Sequence, residues 1–576
     1  MEQRLISSNS PFSEDARERI LSQDYVSLIY HNETIPFRRD IILPEYLPQP
    51  VDWQYAVLNA PLDLYAPDIP AQGYFTIPKL YTLLDAESLD ASGILELRNQ
   101  PFFNLDGSRI LLGFIDTGIN YRHPAFRNPD GTTRIVSIWD QADQTGSVPA
   151  GFLYGSEYTA SQINEALFSP DPLSLVPTDD ENGHGTALAG IAAGTPDETA
   201  GFSGAAPGAG IVAVKLKPAK EYLRDYFLVQ ENAPAFQEDD CMLAVRYLQE
   251  QAQRLNLPLV VCFGLGTNQG GHDGHTPLDE VLLSMTFTAG RYSITAAGNE
   301  TGAGHHYFGK VSGLGETDEV EITVEQENRG FTLELWSFAP DLFSLGIITP
   351  LGEQISPADP RIGATQSVSF ILSPSSARID YEIVEFRSGS QLIQVRVENP
   401  PVGIWRFQAV SRRYVNGSFH MWLPITGLGS PAVRFLNPDP DTTLTVPGCS
   451  RGTVTVSTYQ ASSGALYLRS SRGFARDEQI KPDLAAPGVN IQAPYSSSSY
   501  RLVTGSSAAA AITAGAAALL VQWGKESSYG KLLSDTELKN LLYRGAGRDP
   551  ALYYPNREWG YGTLDLYGIF ESLIGF

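Results

Sequence analysis

The sequence predicts an α/β fold: a doubly wound, mostly parallel sheet with a small α+β unit at the N-terminus and an inserted β-sandwich of jelly-roll type. Three observations carry this expectation. From residue 93 to 299, and again after 439, continuous apolar runs alternate with helical stretches, the pattern of strands covered on both faces. Between 310 and 438 the rhythm changes to many short β-rich runs, which suits a sandwich. The first eighty residues mix a polar helical stretch with two strand-like runs.

In chain order, the N-terminal unit has a helix near 13–21 and strands at YVSLIY (25–30) and YAVLNA (55–60). PEYLPQP (44–50) and APDIPAQG (66–73) are loops, because proline removes an amide donor and fixes its own φ. The α/β pattern then runs through ILLGFID, NGHGTALAGIAAG, AGIVAVKL, a helix around 241–255, LPLVVCFGLG and YSITAAGN. The sandwich is read from EVEITVE, FTLELWSF, QSVSFIL, QLIQVRVE and GIWRFQAVS. GTVTVSTY resumes the α/β pattern, which ends with a helix over 507–524 and another near 535–543. The apolar stretch 508–523 falls short of the roughly 20 residues of a membrane span and reads as a buried helix, so no membrane insertion is expected. No internal repeat or low-complexity tract is found.

At 576 residues the chain is too long for one hydrophobic core. A formal net charge of -25 disfavours binding to nucleic acid, which needs Lys and Arg to displace counterions, and favours protein substrates or basic partners. Three cysteines, Cys241, Cys262 and Cys449, cannot form a disulfide framework, so a reducing or cysteine-indifferent compartment is expected. The N-terminus lacks a basic stretch followed by an apolar one, so no secretory signal is expected.

Four segments carry chemistry. Asp116 ends the strand in IDTG, at the carboxyl end of a parallel sheet where open α/β folds place their sites; alone, an Asp before a Gly turn is ordinary. His184 stands between Gly183 and Gly185 at the start of a small-residue helix, where nothing obstructs the imidazole. Ser507 opens a helix of almost purely small side chains, where the dipole and backbone amides favour an oxyanion, although an N-cap serine is common there. Asn299, in Ala297-Gly298-Asn299, offers a side-chain amide donor for the same charge, against the bland reading of a turn residue. Each bland reading is acceptable alone, but all four must hold together. GGHDGH (270–275) contains His272, Asp273 and His275, all side chains of ligand type, yet it reads better as a Gly-rich loop beside a cleft, with no metal. His305 and His306 are expected to be exposed where the insertion begins.

The order Asp, His, Ser is the subtilisin order, and IDTG, NGHGTALAG, AAGN, KPDLAAPGVNI and GSSAAAA together resemble the subtilisin family. The resemblance covers about 95–305 and 439–568. It implies a serine endopeptidase with Ser507 as nucleophile, His184 as general base, Asp116 as the residue that orients it, and Asn299 with the Ser507 amide as oxyanion donors. It further implies that Gly264, Leu265 and Gly266, with Ala297 and Gly298, line the substrate cleft and pair with an extended peptide. No cofactor is implied; calcium is left open. Two departures stand out: Ser506 replaces the family's usual Thr, and Ala508, Ala511 and Ile512 replace its Met and Pro-His pair.

Within the family, the architecture and FIDTGINYRHPAFRNPDGTTRI resemble the clostridial Csp germination proteases. That resemblance implies a folding prodomain at 1–85, a catalytic domain at 86–308 and 439–576, and a stiffening sandwich at 309–438. It implies autoprocessing somewhere in 71–91, the chain's own prodomain bound in the cleft, and a spore-cortex hydrolase precursor as substrate. The expected location is cytoplasmic or inside the spore. The alternative left open is a catalytically silent or prodomain-inhibited regulatory protein.

Overall fold

The structure, a computed structural model, describes residues 11–33, 48–65, 69–70, 72–84, 105–496, 498–526 and 530–574. The expected domain boundary at 85/86, residues 85–91 of the autoprocessing stretch and most of the 44–50 loop lie outside the described residues.

The N-terminal unit consists of helix α1 (Pro11–Leu21) and an antiparallel sheet of β1 (Tyr25–His31), β2 (Gln49–Pro50) and β3 (Tyr55–Pro61), in the order β1-β3-β2. A short strand, β4 (Leu80–Leu83), follows. The main sheet contains β5 (Leu111–Asp116), β6 (Ile135–Asp140), β7 (Ser156–Thr159) and β8 (Gly210–Lys215). After β9 (Phe236–Gln237), it continues with β10 (Leu259–Phe263). Beyond β11 (Leu265–Gly266) it takes β12 (Arg291–Ala296).

Three helices placed among these strands matter here: α2 (His184–Ala193), α3 (Glu238–Leu255) and α4 (Pro277–Thr286). Helix α3 is amphipathic, stops at Asn256 in the left-handed conformation, and buries Met242, Leu243, Val245 and Leu248. Strands β5, β8 and β10 alternate between two cores. Leu112, Phe114, Ile211, Ala213, Val260 and Cys262 point to one. Leu111, Ile115, Val212, Val214, Leu259 and Val261 point to the other. Each such Leu, Ile or Val contributes about 1.5–3 kcal/mol by leaving water.

The sandwich follows as β13 (His306–Lys310), β14 (Thr317–Val324), β15 (Gly330–Ser337), β16 (Leu342–Ile348), β17 (Gln354–Ile355) and β18 (Thr365–Ser369). It closes with β19 (Ser376–Glu382), β20 (Gln391–Glu398), β21 (Gly403–Arg413), β22 (Ser418–Trp422) and β23 (Val433–Phe435). Its sheets run β13-β22-β15-β20-β19-β18 and β17-β16-β21-β14-β23. Leu333, Leu335, Ile393 and Val395 from the first meet Ile322, Leu345, Trp405 and Phe407 from the second. Period-two alternation leaves Glu334, Trp336, Leu392 and Trp422 on the outer face of the six-stranded sheet. There Trp336, Leu392 and Trp422 pack with Tyr74 of the N-terminal unit.

The main sheet is completed by β24 (Thr453–Gln460), β25 (Ala465–Leu466) and β26 (Leu484–Pro487). Its order is β25-β24-β12-β10-β5-β8-β6-β7, with β26 against β24 and antiparallel pairing only at β6–β7 and β24–β25. Helix α5 (Ser506–Glu526) crosses its face; its alanines are buried, so a helix apolar enough for a membrane span is enclosed by protein. The alternation of strand and helix is thus the doubly wound α/β arrangement the sequence predicts.

The exposure expected for His305 and His306 is wrong: they are 8% and 2% exposed. His305 meets Glu300 at 2.6 Å, and His306 stacks on Trp422 and lies 3.0 Å from His420. An aromatic platform on the sandwich's outer face covers His306, while Glu300 binds His305, and nothing in an isolated HH pair announces either. His272 stacks on the same Trp422, 4.1 Å between ring centroids. Burial pushes its imidazole down to about 4, so it is a neutral packing element. Among the described residues, no group of three or more His, Cys, Asp and Glu side chains is arranged to hold a metal.

Candidate active site

The strand order sets the site. From β5 the chain moves to β6 and β8 on one side, then returns to β10 on the other, so a crevice opens at the carboxyl ends of β5 and β10. Asp116 ends β5, and Gly264 follows β10.

Asp116 is 1% exposed, and its Oδ1 lies 2.7 Å from Nδ1 of His184. The same oxygen accepts the Thr117 N–H at 2.8 Å. A second carboxylate holds the start of α2. Asp180 Oδ1 accepts from Gly183 N at 2.8 Å and Thr117 Oγ1 at 2.7 Å. Its Oδ2 accepts from Thr186 N at 2.8 Å and Thr186 Oγ1 at 2.7 Å. These bonds satisfy amides that a helix start leaves without partners and lock His184 beside β5. Sequence reasoning missed Asp180, although an Asp four residues ahead of the helix in DDENGHGT is a capping signal.

Ser507 is fully buried in the first turn of α5. Gly264 brings it next to the histidine: a Cβ there would lie 3.2 Å from His184 Cε1, 3.3 Å from Ser507 Cβ and 2.4 Å from Leu188 Cδ1. Only glycine admits both side chains against the backbone at that point. The AAGN turn is tied to the same helix, since Asn299 Oδ1 accepts the Ser506 N–H at 3.2 Å and Ser506 Oγ accepts the Gly298 N–H at 3.0 Å. The hydroxyl retained at 506 therefore joins the turn to the helix. Thr445 N and Ser471 N fasten the turn from outside through the carbonyls of Ala297 and Gly298.

The crevice holds a segment of the chain itself. Strand β4 is the middle strand of β11-β4-β9, antiparallel to both. Leu83 faces Leu265 and Thr82 faces Gly266, while Leu80 and Tyr81 face Gln237 and Phe236. Gly266 leaves room for the next residue: a Cβ there would come 2.9 Å from Leu84 Cδ1 and 2.6 Å from Thr445 Oγ1. At the end of this strand the Leu84 carbonyl accepts a hydrogen bond from Ser507 Oγ at 2.6 Å. The structure thus brings together Asp116, His184, Ser507, Asn299, Gly264, Leu265, Gly266, Ala297 and Gly298, and adds Asp180, Ser506 and Leu84.

Comparison with known proteins agrees with this geometry. Residues 107–326 and 434–562, more than half of the chain, match the sequence profile of the subtilase family. The solved CspB protease of Clostridium perfringens is similar over 84% of this chain and 96% of its own, with 30% identity and a TM-score of 0.75. A subtilisin of a Bacillus species is 25% identical over 222 residues, 38% of this chain and 41% of that protein. A subtilisin-like protease of Arabidopsis thaliana is 28% identical over 205 residues, 34% of this chain and 22% of that protein. The chain thus spans less than half the length of these two curated relatives. The chain belongs to the subtilase family and is close in structure to its Csp-type proteases.

Proposed function

We propose that the chain is a serine endopeptidase that cuts its own polypeptide after Leu84. The observation that carries this is the Leu84 carbonyl, presented by a strand in the crevice and hydrogen-bonded to Ser507 Oγ at 2.6 Å. Antiparallel pairing on both edges of β4 holds the peptide through its backbone, the way an endopeptidase holds an extended substrate.

In this reading His184 takes the Ser507 hydroxyl proton as Oγ bonds to the Leu84 carbonyl carbon. Asp116, 2.7 Å from Nδ1, fixes the imidazole tautomer and stabilises its cation. The carbonyl oxygen gains negative charge, which Asn299 and the Ser507 N–H stabilise. His184 then returns the proton to the nitrogen of Asp85 as the 84–85 bond breaks, leaving an acyl ester on Ser507. Water hydrolyses that ester by the same proton relay in reverse. A leucine at the cut, beside Gly266, points to a medium-sized apolar side chain as the preferred residue there. The likeness to a protease supports a protein substrate, for which we propose the precursor of a spore-cortex lytic hydrolase that the resemblance implies.

A second reading draws on the same strand: with β4 seated in the crevice, the enzyme is inhibited by its own prodomain, residues 1–84, until that segment leaves. Intact-mass analysis of wild type beside Ser507→Ala tests both. The wild type should yield an N-terminal fragment ending at Leu84 that co-purifies with the remainder, and Ser507→Ala should remain at 62.7 kDa. Removing such a nucleophile costs about 10⁶ in kcat. A wild type that stays intact, or the same cut in Ser507→Ala, would refute the assignment.

A further inference from the structure

A cavity of about 430 Å³ lies where the N-terminal unit, the Glu221–Tyr226 helix and the outer face of the sandwich meet. Tyr74 and Ile77 contribute from the first, Tyr226 from the second, and β19 and β20 from the third. It falls within the roughly 300–1,000 Å³ of small-molecule pockets and is many times the ~30 Å³ share of one water.

Its polar side is built by three residues on neighbouring strands. Asp380 and Glu382 are two apart on β19 and so share a face, and Gln394 stands opposite Asp380 on β20. Gln394 is 8% exposed. Its Oε1 accepts the Tyr226 hydroxyl at 2.6 Å, while its Nε2 has no hydrogen-bond partner. Leaving a buried donor unmatched costs about 1–3 kcal/mol, so an unpartnered amide on a cavity wall marks a position where a ligand acceptor fits. Glu382 Oε2 accepts the Tyr74 N–H at 3.1 Å, and burial raises its carboxyl above the usual range. Asp380 is met by Arg378 at 2.8 Å and by Thr365 Oγ1 at 2.6 Å. Among the described residues lining the cavity there are two carboxylic acids and no Lys, Arg or His; the remainder is mostly apolar.

We propose that this cavity binds a small organic cation: a primary ammonium group and a carbonyl carried on one compact apolar body. The ammonium donates to Glu382, since Asp380 is paired with Arg378, the carbonyl accepts from Gln394 Nε2, and the apolar body lies against Ile77 and the Tyr74 ring. Because one wall belongs to the N-terminal unit and the opposite wall to the sandwich, the ligand binds only while the two are docked. By mass action it stabilises that docked arrangement. The proposal is independent of the proteolytic reading.

The test uses full-length Ser507→Ala and three probes: L-phenylalaninamide, 3-phenylpropanamide, which lacks only its ammonium, and 2-phenylethylamine, which lacks only its carboxamide. Binding is measured by calorimetry and thermal melting at about pH 6, where an α-amino group is protonated. L-phenylalaninamide should bind at least about tenfold more tightly than 3-phenylpropanamide and raise the melting temperature with concentration, one hydrogen bond to a charged group accounting for that factor. Its advantage over 2-phenylethylamine should vanish in Gln394→Leu. Glu382→Gln keeps an acceptor for the Tyr74 N–H but removes the carboxylate that receives the ammonium, and should abolish the advantage of L-phenylalaninamide over 3-phenylpropanamide even if Gln394→Leu does not fold. Equal binding of all three probes, no detectable binding, or an ammonium advantage that survives Glu382→Gln would overturn the proposal.

Discussion

Two of the places where the N-terminal unit is held use different chemistry. In the crevice, β4 is held by main-chain pairing with β11 and β9, which reads direction and extension but few side chains. On the sandwich the grip is made of side chains. Glu334, 4% exposed, accepts from Tyr74 OH at 2.7 Å, from Gly270 N at 3.1 Å and from Trp336 Nε1 at 3.0 Å. One carboxylate thus joins three parts of the molecule. Nearby, Tyr55 donates to Glu280, which Arg387 also engages at 2.8 Å, and Phe386 packs on Phe75 and His31. A crevice that reads backbone can accept many sequences, whereas a surface that reads Tyr74 and Tyr55 recognises this chain's own N-terminal unit. On the proposed function, chemistry and retention are therefore separable.

The strongest way to break the comparison is to stop the chemistry and leave both grips. Asp116→Asn keeps the shape but fixes the wrong imidazole tautomer, which costs about 10⁴ in rate. Self-cleavage followed by mass should slow by that factor while the N-terminal unit stays docked. A smaller effect comes from the opposite cut. Tyr74→Ala removes a buried ring and the hydroxyl that serves Glu334, at a cost of about 3–5 kcal/mol. Retention of the N-terminal fragment should weaken by roughly 10² to 5 × 10³, with the cleavage rate within about threefold of wild type. Loss of cleavage in Tyr74→Ala, measured in the same assay, would show that the two grips are not separable.

The same contrast explains what was legible in the sequence. Asp116, His184, Asn299 and Ser507 announce themselves because each sits at a strand end or helix start whose neighbours must be small. The strands of the main sheet were legible from their continuous apolar runs, and α3 from its periodicity, starting three residues before the 241 read from sequence. What the sequence hid depends on partners far along the chain. β9 and β11 are two-residue strands that exist only because β4 lies between them. Leu84 is one leucine among many until Ser507, 423 positions away, donates to its carbonyl. His306 read as exposed because Trp422, which covers it, belongs to another strand.

The gentlest probe of retention is pH, through Lys220. Its ammonium donates to the carbonyls of Tyr25 at 2.8 Å and Arg19 at 3.2 Å, so docking the N-terminal unit takes it out of water. Burial, with Lys217 beside it, lowers the lysine to about 7, against the partial support of Asp239 and Asp240. Undocked and solvated, it would return toward the ordinary value of about 10.4. The docked state thus binds fewer protons between those two values. The cost of docking is fully present below about 7 and relieved as pH rises toward 10, so retention tightens with pH. One proton sets a ceiling of about tenfold per pH unit. A neutral amine still donates two hydrogens, enough for both carbonyls. Fragment dissociation should therefore slow several-fold from about pH 7.5 to about 8.5 within that ceiling, and Lys220→Met should flatten this trend while leaving the cleavage rate unchanged. A wild-type profile that is flat, or that slopes the other way, would show that the protonation of Lys220 does not set the pH dependence of retention.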